Sequence, residues 1–83
     1  MAKSIFTSEH RDFIASLRDV RVAASITQAE LSRRLGKNQS YISNIERGQR
    51  RLDVIEFSRI ALALGQSPHV LFSQILATTK IAQ

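Results

Sequence analysis

The sequence predicts an all-α protein, a compact bundle of five helices. Three observations carry that prediction. Apolar residues recur at three- and four-residue intervals, the spacing of one helical face. Serine, threonine, asparagine or aspartate stands immediately before each of four such stretches, where a helix needs a side-chain oxygen for its unpaired N–H groups. The connections are short, and Gly36 and Gly65 sit where a left-handed residue ends a helix.

Each element follows in turn. The first helix starts near Ser8, with Glu9 placed to complement the positive end of the helix dipole, and runs to about residue 24. Phe13, Leu17, Val20 and Ala24 form its stripe and Ile14 widens it. The second opens on Thr27 and Glu30, spaced as a capping box in which the hydroxyl accepts from a backbone N–H and the carboxylate reaches back. It carries Leu31 and Leu35 on one face and stops at Gly36. Asn38 can cap the third, whose Ile42 and Ile45 point inward while Gln39, Ser40, Ser43 and Asn44 lie elsewhere on its surface. The fourth begins with Asp53 as cap and Glu56 three residues on, and stops at Gly65. Val54, Phe57, Ile60, Ala61 and Leu64 share its core-facing side. Ser67 and Pro68 open the fifth, which carries Leu71, Phe72, Ile75 and Leu76. The whole reads as one domain, 1–83, with a core of about 8–77 and loose ends at 1–6 and 78–83.

Composition narrows the class. At 83 residues the chain is near the lower size for a self-sufficient core, and 43% hydrophobic residues favour folding over disorder. There is no cysteine, so neither a disulfide nor a thiolate metal site is available, and His10 and His69 lack a liganding pattern. No metal or other cofactor is expected. No Cys–His or Ser–His pairing, carboxylate dyad or glycine-rich phosphate loop is visible, so an enzyme is not expected either. With no membrane-length apolar run and no signal-peptide core at the N-terminus, the expectation is a soluble cytoplasmic protein.

The net charge of +5 is uneven. Arg33, Arg34, Lys37, Arg47, Arg50 and Arg51 face one acid, Glu46, between residues 33 and 51. The second and third helices with their tight turn form a helix-turn-helix, and the polar side of the third has the width and the hydrogen-bonding groups to enter a DNA major groove. Cations on either side of it suit the phosphates that flank such a groove. On the fourth helix Ile55 and Leu62 align one heptad apart on the side away from the core, with Arg59 between them. Beside an apolar final helix carrying Phe72 and Ile75, they suggest a self-association surface.

The run from Leu17 to Leu76 resembles the phage-repressor-like helix-turn-helix proteins, the Xre or Cro/C1-type family. The residues that carry the likeness are Arg21 seven before Gln28, Thr27-Gln28-x-Glu30-Leu31, Leu35-Gly36, Ser40-x-Ile42-Ser43-x-Ile45-Glu46-Arg47-Gly48 and Ala61-x-Ala63-Leu64-Gly65. The size, with Tyr41-Ile42-Ser43 and Glu46-Arg47-Gly48, also resembles the small controller proteins of restriction–modification systems, single-domain dimers within this family.

The resemblance implies a five-helix bundle of the lambda-repressor-like DNA-binding type, acting as a homodimeric transcriptional regulator on a pseudo-palindromic double-stranded operator. It implies that Gln28 bonds a phosphate, and that Gln39 and Ser40 open the recognition helix and meet base edges. Ser43 can read an edge and Asn44 can reach base or phosphate. Tyr41 can pack at the edge of the core or offer its phenol to a phosphate. Lys37, Arg47, Arg50 and Arg51 are the expected phosphate clamps, positioning rather than specifying. Arg33 and Arg34 read as solvated. Arg21 and Glu46 are expected to form a partly buried structural ion pair.

Three positions depart from the family pattern. Ser32 stands at a position usually alanine, so its hydroxyl needs a partner, expected to be a carbonyl one turn back. Lys37 replaces an aliphatic residue, and Ser25 stands where glycine is frequent. An alternative function is a protein-interaction module, such as an antitoxin covering a toxin with its fourth and fifth helices. RNA polymerase is a further conceivable partner.

Overall fold

The computed structural model describes residues 7–79 and contains five α-helices: α1 (Ser8–Ala23), α2 (Gln28–Arg34), α3 (Tyr41–Glu46), α4 (Val54–Ala63) and α5 (Pro68–Thr78). No strand occurs among the described residues. Of the loose ends expected at 1–6 and 78–83, residues 1–6 and 80–83 lie outside the described residues. Thr78 closes α5 and Thr79 is buried, so the chain stays packed two residues past the predicted core.

Local chemistry sets the helix starts. Thr7 accepts from the His10 N–H at 3.1 Å, and Ser67 accepts from the Val70 N–H with Pro68 in the first turn. Asp53 and Glu56 form the full reciprocal box. Thr27 accepts from the Glu30 N–H at 3.0 Å, but the returning half of that expected box is absent. The Glu30 carboxylate instead turns forward to Arg33 and Arg34, at 2.6 and 2.9 Å. Hydrogen bonds from Arg33, then from Arg34, hold that carboxyl down at about 2.

The helix ends share one geometry. After α2, α3 and α4 a glycine takes a positive φ (Gly36, Gly48, Gly65), and two backbone N–H groups fold back onto the last turn. After α1 the same closure forms with Ser25 at φ 61: its N–H reaches Val22 O at 2.9 Å and that of Ile26 reaches Arg21 O at 3.2 Å. A side chain in this left-handed region crowds its own carbonyl, at a cost of about 1–2 kcal/mol. Ser25→Gly is therefore expected to raise stability, by about 0.5–1 kcal/mol once the freer unfolded chain is counted, read as a higher urea midpoint at constant slope.

The core draws on every helix: Ile14 and Leu17; Leu31; Ile42 and Ile45; Phe57, Ile60, Ala61 and Leu64; Leu71 and Ile75. Phe13, Phe57 and Phe72 meet in a tilted, edge-to-face trio with centroids 5.5–5.9 Å apart. Two wheel-based assignments are corrected. Val54, placed with the core, is 77% exposed, because the first residue of α4 lies at the lip of a groove rather than under a covering helix. Ile75, placed on the association surface, is only 2% exposed. It follows Leu71 by one turn on the side of α5 that packs against α1 and α4.

Ser32 is fully buried where α2 crosses α3. Its partner is not the carbonyl one turn back: Oγ accepts the Ile42 N–H at 3.2 Å. The hydroxyl so satisfies one of the unpaired donors at the start of α3, a helix with no side-chain cap of its own.

Candidate nucleic-acid interface

Ile42 and Ile45 fix α3 from below, each almost fully buried, and so leave the opposite side of this short helix outward. Gln39 and Ser40 are exposed, and Ser43, Asn44 and Tyr41 are half-buried. Helical geometry starts at Tyr41, later than the sequence suggests, so Gln39 and Ser40 form the turn that leads into α3. Asn38 orders that turn rather than capping the helix. Its Oδ1 accepts the Ser40 N–H at 2.8 Å and the Ser40 hydroxyl at 2.7 Å. The Gln39 amide is thereby left at the leading edge of the motif.

Cations flank this edge. Lys37 precedes it; Arg47, Arg50 and Arg51 follow, and all four are exposed. Arg47 donates to Asn44 Oδ1 at 2.8 Å, which engages the Asn44 oxygen and leaves its amide N–H groups to donate elsewhere. Arg33 and Arg34 form a separate cluster on α2. Both are engaged by Glu30, and Arg34 donates to the Ala63 carbonyl at 3.0 Å, tying α2 to the end of α4.

Below the surface, Arg21 and Glu46 form a two-pronged pair, Nε to Oε2 at 2.7 Å and Nη2 to Oε1 at 3.0 Å, with side chains 9% and 8% exposed. Arg21 Nη1 also donates to the Ile26 carbonyl at 2.7 Å. The arginine so spans the end of α1, the link to α2 and the end of α3. Gln28 joins the same cluster: its Nε2 donates to Glu46 Oε1 at 2.8 Å. Its amide nitrogen is committed to the interior in this structure, which leaves the second N–H and the oxygen for any outside anion.

A second cluster was not foreseen from the sequence. Glu56, read only as a capping residue, accepts from the Tyr41 hydroxyl at 3.2 Å and pairs with Arg50. Arg50 and Lys37 both lie over the Tyr41 ring, 5.1 and 5.4 Å from its centroid. Burial pushes the Tyr41 phenol up, so it remains a donor at neutral pH. Tyr41 is therefore both a packing residue and a platform for two cations. The pairing of Asp53 with Glu56 was the available signal, but only the fold shows where the second carboxylate oxygen points.

On the outer side of α4 Ile55 and Leu62 are 61% and 65% exposed, Ile55 lining a groove with Lys37, Tyr41 and Glu56, and on α5 Phe72 is 45% exposed. No single described helix is long and apolar enough to cross a membrane. Among the described residues no group of three or more histidine, aspartate or glutamate side chains could hold a metal ion.

A five-helix domain that turns a short polar helix outward between arginines and a lysine is a helix-turn-helix DNA-binding protein. A family profile described as helix-turn-helix matches residues 17–71. The chain belongs to the XRE-type helix-turn-helix family of transcriptional regulators. It is similar to the structure of an XRE-family like protein from Pseudomonas syringae pv. tomato, with 41% identity, 88% of this chain and 89% of that one covered, and a TM-score of 0.79. It is also similar to the restriction-modification controller protein C.AhdI from Aeromonas hydrophila, with 32% identity, 80% and 100% of the two chains covered, and a TM-score of 0.70. The clp gene regulator ClgR from Corynebacterium glutamicum shares the fold at 23% identity, with 84% and 74% coverage and a TM-score of 0.72. No curated protein sequence matches the chain.

Proposed function

We propose that the chain is a homodimeric, sequence-specific transcriptional regulator that binds a pseudo-palindromic DNA operator. The observation that carries this is the seating of α3: two buried isoleucines hold it down while Gln39 and Ser40 stand exposed between Lys37 and the arginines at 47, 50 and 51. In this reading Gln39 offers its amide to the adenine N6 and N7 edge, and Ser40, Ser43 and Asn44 add less selective base contacts. Lys37, Arg47, Arg50, Arg51 and the outward atoms of Gln28 engage phosphates and set the register. Tyr41, expected to offer its phenol to a phosphate, instead gives that proton to Glu56 and supports Lys37 and Arg50 with its ring. Ile55 and Leu62 on α4, together with the exposed Phe72 on α5, form the dimer contact. The two-fold axis then places two recognition helices about one DNA turn, roughly 34 Å, apart. Similarity to a protein described as a restriction-modification controller supports the same role.

The test joins mass and salt. Light scattering should give a species of twice the 9.3 kDa chain mass. Duplex affinity should fall steeply between about 50 and 200 mM salt, as release of condensed counterions requires. A monomer, or binding indifferent to salt, overturns the proposal. On duplexes selected from a random library, Gln39→Ala should cost about 1–3 kcal/mol of discrimination at one base position. Lys37→Ala should instead weaken every duplex alike and reduce the salt slope by about one.

A further inference from the structure

We propose that Glu56, on a helix that does not itself face the duplex, is a positioning residue for DNA binding: it holds Arg50 against the Tyr41 ring so that the guanidinium meets the backbone in one orientation. This rests on the DNA-binding surface argued above and names a residue outside it.

The carboxylate is fixed from two directions. Oε1 accepts the Asp53 N–H at 3.0 Å, while Asp53 Oδ1 accepts the Glu56 N–H at 2.7 Å, so the side chain cannot swing without breaking the start of α4. Oε2 accepts from the Tyr41 hydroxyl at 3.2 Å and from Arg50 Nη2. One carboxylate therefore joins the start of α3, the loop after it and the start of α4. The Glu56 side chain is 19% exposed and that of Arg50 44%. The acid is thus held mostly away from solvent while much of the guanidinium remains outside. An arginine has five N–H donors, and only one of its nitrogens is turned to the acid here. A side chain already immobilised surrenders less rotamer freedom when it engages a ligand, so the clamp favours binding in a single geometry.

A pure charge argument predicts the opposite sign. A carboxylate beside a phosphate-binding arginine repels the backbone, and its neutralisation should tighten binding. Glu56→Gln separates the two, because glutamine serves the same capping box and keeps the start of α4. Wild type, E56Q, R50A and the double variant should be titrated against a duplex selected by the wild type and against random duplex.

The expected result is that E56Q binds the selected duplex about tenfold more weakly with an unchanged melting temperature, the loss of one charge-assisted contact. The double variant should bind no more weakly than R50A, since the glutamate acts through the arginine. Arg50→Lys, which keeps the charge but not the planar fork, should also bind more weakly than wild type. Equal or tighter binding by E56Q, losses that multiply in the double variant, or an R50K protein that binds like wild type would each overturn the proposal alone. A wild type that binds no duplex overturns the underlying reading, and this proposal with it.

Discussion

Arg21→Ala is expected to lower stability by about 3–5 kcal/mol, because it leaves the Glu46 carboxylate buried without its two-pronged partner. For a domain of this size each kcal/mol moves the melting temperature by roughly 4–8 °C, so the fall should exceed about 12 °C. The remaining contacts do not offset the loss. The Gln28 amide is neutral, and Arg18, 3.9 Å away, has a side chain 57% exposed to solvent. Removing both charges should cost less than removing one. Arg21→Met with Glu46→Met is expected to melt above Arg21→Ala, since an apolar pair strands no ion. Thermal melts of the three proteins check this. A single variant with near-normal melting would mean that water reaches Glu46 and that the pair does not hold α1 to α3.

The second large effect concerns assembly. Ile55→Asp combined with Leu62→Asp should convert the protein to a monomer and lower operator affinity by about 10²–10⁴-fold, the loss that follows when two linked half-site contacts become independent. Both side chains are largely exposed in the single chain, so its folding should be little affected. Sedimentation and binding to full-length and half-site duplexes together check the point. Affinity for the half-site should change far less than affinity for the full site, which collapses. A variant that remains dimeric would place the contact elsewhere, and Phe72, 45% exposed on α5, is the next residue to substitute.

How much of this was legible in the sequence depended on range. Caps at Thr27, Asp53 and Ser67 were readable because a cap involves residues three apart, and the helix count followed from them. Ile42 and Ile45 were placed correctly because a helix with so few apolar residues has only one inward side. The fifth helix is apolar on most of its circumference, so spacing could not tell buried Ile75 from exposed Phe72. The Arg21–Glu46 pair, 25 residues apart, was available only through family resemblance. Partners that depend on how elements cross were beyond reach. The serine at 32 was expected to bond within its own helix and instead serves α3. The glutamate at 56 joins α4 to residues six and fifteen positions earlier, across a loop whose path no local rule gives. Base and phosphate roles belong to the same class, since they concern a partner rather than the chain.

The third helix has six residues, well short of the roughly 12–15 at which an isolated helix becomes even marginal in water. It persists because Ser32, two buried isoleucines and the pair at its end supply what its length cannot. A peptide cut from this segment would therefore be a coil, and would not imitate the parent. Within the intact domain its backbone amides should exchange with solvent only when the entire molecule opens. On the proposed function, the part that meets DNA then has no private flexibility: it arrives rigid, and any bending at the encounter falls to the nucleic acid.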